Sequence, residues 1–290
     1  MTRYDGDPAP LRSVAETLAA EAAEFVRARR AEVFGAAAGA PDSGAVRSKS
    51  TPTDPVTVVD TETERLLRDR LAQLRPGEPI LGEEGGGPTG SAATSETVTW
   101  VLDPIDGTVN FVYGIPAYAV SVAVQVDGVS VAGAVADVVA GRVYSAASGL
   151  GAHVTDGRGT RELRCSTVDD LSMALLGTGF GYSRRRRATQ ATLLARMLPV
   201  VRDVRRIGSA ALDLCMVAAG RLDAFYEHGL QVWDSAAGAL IAAEAGARVL
   251  LPAPNGSVGG TGLVVAAAPG IADELLAALE RFDGLEPIPD

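Results

Sequence analysis

Apolar residues recur with a helical period in some stretches of the chain and alternate strictly with polar ones in others. In residues 11–33 they recur every three or four positions, which predicts a long surface helix. Ser13 and Glu16 fit a capping box near the start of this helix. Residues 35–48 are rich in Gly, Ala, Ser and Asp and show no period, so they predict a loop.

An acidic residue lies at the entrance of a second predicted helix. Residues 54–60 predict a short strand that leads into this helix, and Thr61 with Glu64 fits a second capping box. Asp60 is the last residue before that box. A carboxylate at this position can serve the helix or a site next to it.

A longer strand ends at two acids. Apolar residues alternate over positions 98–102, which predicts a strand with one buried face. Pro104 lacks a backbone donor and favours an extended Asp103, so the strand ladder is expected to stop there and the chain to turn. Asp106 would then lie close to Asp103. Two carboxylates about 4 Å apart repel by roughly 4 kcal/mol at an effective dielectric near 20, so a cation or a proton must compensate them.

Other acids also occur at the ends of predicted elements. The short apolar run 79–82 stops at Glu83 and Glu84. Asp234 stands where a helix over residues 235–245 begins, where a carboxylate can act as a simple helix cap. Several hard oxygen ligands that converge from strand and helix ends suit magnesium, so together these acids favour a shared metal cluster.

The two halves of the chain have different patterns. Strands over 118–126 and 129–139, joined by the hairpin dipeptide at 127–128, are followed by strand-rich segments at 141–147 and 151–154. From residue 165 strands alternate with helices. The chain is therefore predicted to be α+β, with residues 1–164 forming a part with an antiparallel sheet and residues 165–290 an α/β part.

Length and composition indicate an ordinary globular protein rather than a membrane or nucleic-acid-binding protein. The 290 residues are 47% hydrophobic and 21% charged, and no apolar run reaches the length of about 18 residues that a membrane span needs. A net charge of -10 repels nucleic acid and anionic lipid. Cys165 and Cys215 fit neither a disulfide framework nor a metal motif. With a polar start in place of a signal peptide, these features predict a cytoplasmic protein.

Three separated motifs resemble one known family. They are residues 82–84 (GEE), 100–111 (WVLDPIDGTVNF) and 233–238 (WDSAAG). In order and spacing this chain resembles the inositol monophosphatase family, from the first helix to about Pro269. The resemblance implies a layered α/β/α/β/α sandwich of the inositol monophosphatase and fructose-1,6-bisphosphatase type. It also implies a small-molecule phosphate monoester as substrate, a homodimer, and two or three magnesium ions.

The resemblance further implies a role for each site residue. Metal ligands would be Glu83, Asp103, the carbonyl of Ile105, Asp106 and Asp234, with Asp103 bridging two ions. Asp60 and Thr108 would orient and deprotonate the attacking water, and Glu83 would also take part in catalysis. Lys49 matches a lysine on a mobile loop. Substrate contacts would come from Gly107, Thr108, Gly208, Ser209, Ala210, Glu227 and Asp234, with Glu227 accepting hydrogen bonds from ring hydroxyls.

Three functions remain open at this point. The first is a magnesium-dependent inositol monophosphatase. The second is a related phosphatase for histidinol phosphate, fructose 1,6-bisphosphate or a nucleotide 3'-phosphate. The third is a regulatory protein that keeps the fold and binds a partner. The intact acids favour an enzyme, since a binding module has no chemical reason to keep a costly carboxylate cluster.

A few polar residues are predicted to lie outside the chemistry. The basic run 184–187 is interpreted as a solvated face or loop, and Ser183 lies near a substrate loop without an assigned role. His153 and His228 have no partner at metal or triad spacing, which favours structural or surface positions. Glu84 is interpreted as an exposed acid or one that contacts a ligand residue.

Overall fold

The computed structural model describes residues 6–35, 46–49, 55–87, 97–252 and 262–289. The helices in these ranges are α1 (Ala9–Phe34), α2 (Val58–Leu74), α3 (Thr108–Tyr113), α4 (Arg184–Met197), α5 (Ala210–Ala218), α6 (Val232–Glu244) and α7 (Ala272–Arg281). The strands are β1 (Val46–Ser48), β2 (Pro55–Thr57), β3 (Ile80–Gly82), β4 (Val98–Asp106), β5 (Ala119–Val126), β6 (Val129–Asp137), β7 (Arg142–Ala147), β8 (Ala152–Asp156), β9 (Gly159–Glu162), β10 (Leu175–Thr178), β11 (Asp203–Arg205), β12 (Ala224–His228), β13 (Arg248–Leu250) and β14 (Leu263–Ala267).

Consecutive strands build the larger of two main sheets, in the order β3-β4-β5-β6-β7-β8-β9. All its pairs are antiparallel except β3 with β4, which run parallel. The tight β5–β6 hairpin is confirmed, since Asp127 (φ 51°) and Gly128 (φ 77°) both take the left-handed conformation that its turn needs. The second sheet has the order β11-β10-β12-β14-β13 and mixes parallel with antiparallel pairs.

The helices cover both sheets in five layers. Residues of α1 and α2 pack on one face of the large sheet, against side chains such as Trp100 and Leu102. Val101, which points to the opposite face of the same strand, belongs to a core formed with α5 and α6. Those two helices also pack against β12 and β14, while α4 and α7 cover the far face of the smaller sheet. The predicted α/β/α/β/α sandwich is therefore confirmed.

Both predicted capping boxes near the start of the chain are wrong. Helix α1 begins at Ala9 after Pro8, and the Ser13 hydroxyl donates to the Ala9 carbonyl inside the helix. Helix α2 is capped one turn earlier than predicted, by Thr57 and Asp60. A strand at residues 46–48 replaces the end of the predicted loop, whose residues 36–45 lie outside the described part of the chain.

Strand β4 does not stop at Asp103, contrary to the prediction. It continues to Asp106 and keeps pairing with β5, but with one extra residue on its own side: Asp103 lies opposite Ser121 and Asp106 opposite Ala119. Pro104 lies inside this bulge, where no ladder donor is required of it.

Helix α4 starts at Arg184, so the basic run 184–187 forms its first turn instead of a loop. The sequence pattern predicts that this helix begins five residues later, at Thr189. The division of the chain at residues 164 and 165 stays a prediction, because the core between the sheets contains residues from both sides of it. Within the described ranges, no helix has the length and apolar character needed to cross a membrane.

Candidate active site

The parallel pair β3–β4 brings the first two acids together. Gly82 lies opposite Leu102, and the Glu83 N–H donates to the Leu102 carbonyl at 3.1 Å. Glu83 and Asp103 therefore leave neighbouring strands at the same level. Their carboxylates interact directly, since Glu83 is among the groups that raise the pKa of Asp103.

A buried acid holds the turn that carries Glu83. The Glu64 carboxylate accepts the N–H groups of Glu84 (2.7 Å) and Gly85 (2.9 Å) and pairs with Arg68 (2.8 Å). The Cβ atom of any larger residue at Gly82 would come within 2.3 Å of Glu64 Oε1. Glu64 is thus a positioning residue for the acidic turn and not the helix cap that its sequence context predicted.

The bulge in β4 directs Asp106 toward the second half of the chain. Its Oδ2 accepts the Ser209 hydroxyl at 2.6 Å and the Ala211 N–H at 2.7 Å. The Ser209 hydroxyl also caps α5. The start of α5 is held close by Asn110, whose side-chain amide donates to the carbonyls of Ala117 (2.7 Å) and Ile207 (2.9 Å). The predicted site residues Ser209 and Ala210 therefore lie beside this acid.

Asp60 is fully buried at the third position of α2. It accepts the Thr57 N–H at 2.9 Å and, through its other oxygen, the Thr108 hydroxyl at 3.2 Å. That hydroxyl also lies 3.0 Å from the Ile105 carbonyl. Burial raises the pKa of Asp60 to about 7, although the Thr57 hydrogen bonds lower it. The structure thus joins the predicted pair Asp60 and Thr108 to the predicted ligand Ile105.

Asp234 lies at the third position of α6 rather than at its cap. Gln231 is the cap residue, and its N–H donates to Asp234 Oδ2 at 2.7 Å. The other oxygen, Oδ1, has no such bond among the described contacts and remains able to accept a further donor or a cation. Asp234 therefore helps to cap α6, although it is not the cap residue itself. Its role as a metal ligand stays a prediction.

Burial concentrates negative charge in this region. Burial raises the pKa of Asp103 and of Asp234 well above the ordinary value, and the charge of Glu83 raises both further. Burial also raises the pKa of Asp106 to about 6, even though the Ser209 hydroxyl stabilises its charged form. The arrangement holds its acids at a free-energy cost that bound cations would remove.

Lys49 supplies one positive charge at the edge of the cluster. Its Nζ lies 2.7 Å from Glu83 Oε1 and also donates to Glu84 Oε1. Burial alone would lower the pKa of Lys49, but the two carboxylates raise it above the ordinary value. Glu84 is therefore paired with a residue of the site.

A second acid pair lies deeper, on the side of the smaller sheet. Burial raises the pKa of Glu227 to about 8, and the Arg206 guanidinium lowers it by a smaller amount. Asp213 of α5, only 1% exposed, has a pKa raised by burial and then by Glu227. Among the described residues Asp213 Oδ1 has no hydrogen-bond partner. No local sequence pattern points to Asp213 or Arg206 as site residues, since both reach Glu227 only through tertiary packing.

One cavity of about 730 Å³ connects these groups. Its acidic side carries Glu83, Asp103, Asp106 and Asp234, and its other side carries Glu227 with basic residues. The remaining predicted contacts, Ile105, Gly107, Thr108, Gly208, Ser209 and Ala210, also line it. Gly107 has φ 94°, and a side chain there would approach the Ala117 and Gly208 carbonyls at 3.0 Å. Asp60 does not line the cavity itself but contacts Thr108, which does.

The chemistry of the donor set fits magnesium. The acids are hard oxygen donors with raised pKa values, and the cavity is open to small ions. In the part of the chain that the structure describes, no three acidic, histidine or cysteine side chains yet stand in a ready metal-binding arrangement.

The two histidines take structural positions. His228 is 1% exposed, and its Nε2 lies 2.9 Å from the Gly284 carbonyl. His228 also lines part of the cavity wall. Burial lowers its pKa and so favours the neutral ring. His153 lies 3.4 Å from an Arg12 nitrogen, away from the cavity.

Comparison with known proteins agrees with this geometry. A model described as "Inositol monophosphatase family" matches residues 7–283. The chain is 80% identical over 291 residues to "Inositol-1-monophosphatase" of Mycobacterium leprae (strain TN), covering 100% of both chains. The solved structure "Mycobacterium tuberculosis SuhB" is similar at 70% identity with a TM-score of 0.82, covering 97% of this chain and 100% of the other. "Nus factor SuhB" of Pasteurella multocida (strain Pm70) is 39% identical over 228 residues, which are 78% of this chain and 83% of that protein.

Proposed function

The chain belongs to the inositol monophosphatase family, and we propose that it is a magnesium-dependent phosphomonoesterase that hydrolyses inositol 1-phosphate to inositol and phosphate. The observation that carries the proposal is the convergence of four acids, from the ends of β3 and β4 and from α6, on one cavity that the Glu227 carboxylate also lines. No pure packing role explains so many buried carboxylates at one place.

The acidic side of the cavity would hold the metal and the phosphate. Glu83, Asp103 and the Ile105 carbonyl form the first ligand set, and Asp103, Asp106 and Asp234 form the second. Bound magnesium would supply charge to polarise the phosphoryl oxygens and acidify the attacking water. Gly107 and Thr108 line the same cavity, and their N–H groups would bind phosphate oxygens.

Asp60 and Thr108 would prepare the nucleophile. The Thr108 hydroxyl lies 3.2 Å from Asp60 Oδ1 and 3.0 Å from the Ile105 carbonyl, and Thr108 lines the cavity, so this hydroxyl stands between Asp60 and the space for the water. Asp60 has a pKa of about 7 and can therefore accept a proton, relayed through Thr108, near neutral pH. The water oxygen would then bond to phosphorus in line while the bond from phosphorus to the alcohol oxygen breaks. The alcohol oxygen would take up a proton from solvent and leave toward the other side of the cavity.

Glu227 would recognise the alcohol. Above its pKa of about 8 the Glu227 carboxylate only accepts hydrogen bonds, and below it the carboxyl group also donates one; both forms suit the hydroxyl groups of a polyol. Ser209, Ala210 and Gly208 lie between it and the phosphate side, where they would contact the ring.

Phosphate release from a panel of esters tests the proposal. The panel contains inositol 1-phosphate, histidinol phosphate, fructose 1,6-bisphosphate, a nucleotide 3'-phosphate and an aryl phosphate. We expect magnesium-dependent turnover that is fastest with inositol 1-phosphate and is lost in chelator. Turnover that is unchanged in chelator would refute the metal chemistry, and preference for another ester would reassign the substrate.

A second candidate function is a non-catalytic role on the same fold. Its support is the group of relatives that are 38–39% identical and carry the name "Nus factor SuhB". An absence of phosphatase activity on the whole panel would favour this candidate. We also propose a homodimer in the cytoplasm, and sedimentation equilibrium would test the dimer.

A further inference from the structure

A short segment after α7 lies beyond the part of the chain that the family model matches, which ends at residue 283. Its course is set by the end of α7. The Asp283 N–H donates to the Glu280 carbonyl (3.1 Å) and the Gly284 N–H to the Leu279 carbonyl (2.7 Å), with Asp283 in the left-handed conformation at φ 62°. This hydrogen-bond pattern terminates a helix and turns the chain sharply.

The turn lays residues 284–289 on α4. Gly284 lies so close to Leu193 that a Cβ atom would be 2.9 Å from both of its methyl groups. Ile288 is 5% exposed, while Leu285 in the same segment is 37% exposed. The segment is therefore docked through Gly284 and Ile288, not through its whole length.

Two of its carbonyl groups contact residues that line the cavity. The buried Arg186 donates from Nε to the Ile288 carbonyl at 3.0 Å. His228 lies with Nε2 at 2.9 Å from the Gly284 carbonyl, which requires the proton on Nε2. Both side chains belong to the cavity wall.

Arg186 in turn supports the loop over residues 179–183. A Cβ atom at Gly181 would lie 2.8 Å from Arg186 Cδ, so the loop crosses directly over the arginine stem. The Gly181 N–H donates to Gln190 Oε1 at 3.0 Å, and the Gln190 amide donates to the His228 carbonyl at 3.2 Å. The loop is thus fixed by α4, against which the segment is docked.

The same loop reaches the carboxylate that recognises the alcohol. A Cβ atom at Gly179 would come within 1.9 Å of Glu227 Oε2, so the Glu227 carboxylate rests on the loop backbone. A displacement of the loop therefore changes the space around Glu227. The acids on the phosphate side are held by other elements, β3, β4 and the start of α5.

We propose that residues 284–289 position the alcohol-binding side of the cavity, with Arg186 as the link, and so determine specificity for the leaving group. This inference rests on the proposed phosphatase function. Loss of the segment removes the Ile288 carbonyl, which accepts from Arg186 Nε, and exposes the part of α4 on which the segment lies. The loop then samples positions in which Glu227 and its neighbours no longer fit the alcohol, while the phosphate side keeps its geometry.

Steady-state kinetics on two substrates test the proposal. The main variant ends at Asp283, and Ile288→Ala is a milder variant that keeps the carbonyl but loses the anchor. Leu285→Ala is the matched control in the same segment. Since misplacement of a binding group by about 1 Å can cost on the order of 100-fold, we expect KM for inositol 1-phosphate to rise by about tenfold in the shortened chain. Its kcat, and both constants for an aryl phosphate, should change by less than about twofold.

An Arg186→Ala background shows whether the arginine is the link. Shortening the chain should add no further increase in KM there. Additive effects would overturn the link through Arg186, and equal losses on both substrates would reduce the segment to a stability element. An unchanged KM in the shortened chain would also overturn the proposal.

Hydrogen exchange provides a readout that does not depend on activity. Backbone amides in residues 179–190 should exchange faster in the shortened chain and not in Leu285→Ala, while α2 keeps its protection. Unchanged exchange in the loop would overturn the positioning role. A wild-type protein that hydrolyses no ester would refute the proposed function, and the exchange measurement would still decide this inference.

Discussion

The Nζ atom of Lys49 lies 2.7 Å from Oε1 of Glu83 and also contacts the carboxylate of Glu84. One ammonium group therefore neutralises part of a carboxylate that is proposed to bind magnesium. A lysine and a divalent cation within 4 Å of the same oxygen repel each other, so Lys49 and magnesium compete for Glu83.

Replacing Lys49 by Gln should therefore tighten magnesium binding and weaken the metal-free protein. Without the ammonium group, the acids repel each other more in chelator, so the melting temperature should fall. The magnesium concentration needed for half of the thermal stabilisation should decrease by about threefold, which corresponds to roughly 0.6 kcal/mol. Melting curves over a magnesium titration measure both effects. A variant with weaker magnesium binding would show that Lys49 helps to hold the ion.

Asp103→Asn should abolish turnover, because Asp103 is the proposed bridging ligand and the substitution hardly alters the side-chain volume. We expect a loss of at least about 100-fold in kcat at saturating magnesium, as for other groups that stabilise charge in the transition state. The exposed Asp69→Asn on α2 is the matched control. Near-normal activity of Asp103→Asn at high magnesium would mean that the two-metal assignment is wrong.

Glu227→Ala should impair inositol phosphate turnover far more than that of an aryl phosphate. Hydrogen bonds to a charged group contribute roughly 1.5 to 3 kcal/mol, so in assays above the Glu227 pKa of about 8 kcat/KM for the polyol ester should fall by about 10- to 150-fold. Parallel assays of both esters measure the difference, with the exposed Glu280→Ala as control. Equal losses would remove Glu227 from the specificity site.

The metal-free protein should lose stability as the pH rises. The pKa values of Asp106, Asp60 and Glu227 are raised by burial to about 6, 7 and 8. The folded state therefore holds protons that the unfolded chain releases near pH 4, and stability is lost as the pH rises through the folded pKa values. Melting temperatures in chelator should fall between about pH 5 and pH 8, and magnesium should oppose the fall. In Glu227→Gln the upper part of the decrease, near pH 8, should be smaller, and a flat wild-type profile would contradict the charged cluster.

Lithium should inhibit the enzyme at elevated magnesium. The proposed second site, at Asp106 and Asp234, offers hard oxygen ligands that also suit a small monovalent ion. Lithium there would supply half the charge of magnesium and would not support release of phosphate. Initial rates with lithium, compared with sodium at equal ionic strength, test this expectation. Equal rates in both salts would remove the support for an exchangeable second site.

The sequence predicted the acids well because each of them directly follows a local pattern. The apolar run of β3 ends before Glu83, as predicted, whereas alternation over β4 put Asp103 on the strand but missed its continuation to Asp106. Parallel pairing then places Glu83 beside Asp103. The same local patterns failed at α2. Thr57 with Asp60 and Thr61 with Glu64 are equally good capping boxes one helical turn apart, and only tertiary contacts decide between them. Glu64 is used by the N–H groups of Glu84 and Gly85, which are about 20 positions away.

Long-range contacts also explain what the sequence did not reveal at α4. A run of four arginines is usually a solvated face or a loop, so the sequence indicated no helix start there. The structure forms the turn because Ser183 caps it and because Arg186 reaches the Ile288 carbonyl, 102 positions along the chain. The sequence did not indicate Asp213 as a site residue for a similar reason, since only packing places it near Glu227.

The extra residue in β4 interrupts the pairing with β5 but keeps Asp106 at the proposed active site. In an unbroken ladder every residue from Asp103 to Asp106 would pair with β5, which would be the better sheet. However, side chains alternate between the two faces of a regular strand, so Asp106, three positions after Asp103, would then point to the face opposite that of Asp103. Asp106 would then leave Ser209 and point toward the layer formed by α1 and α2, where no donor awaits it among the described contacts. The irregular strand is thus the form that retains the acid, and selection for regularity alone would erase the site.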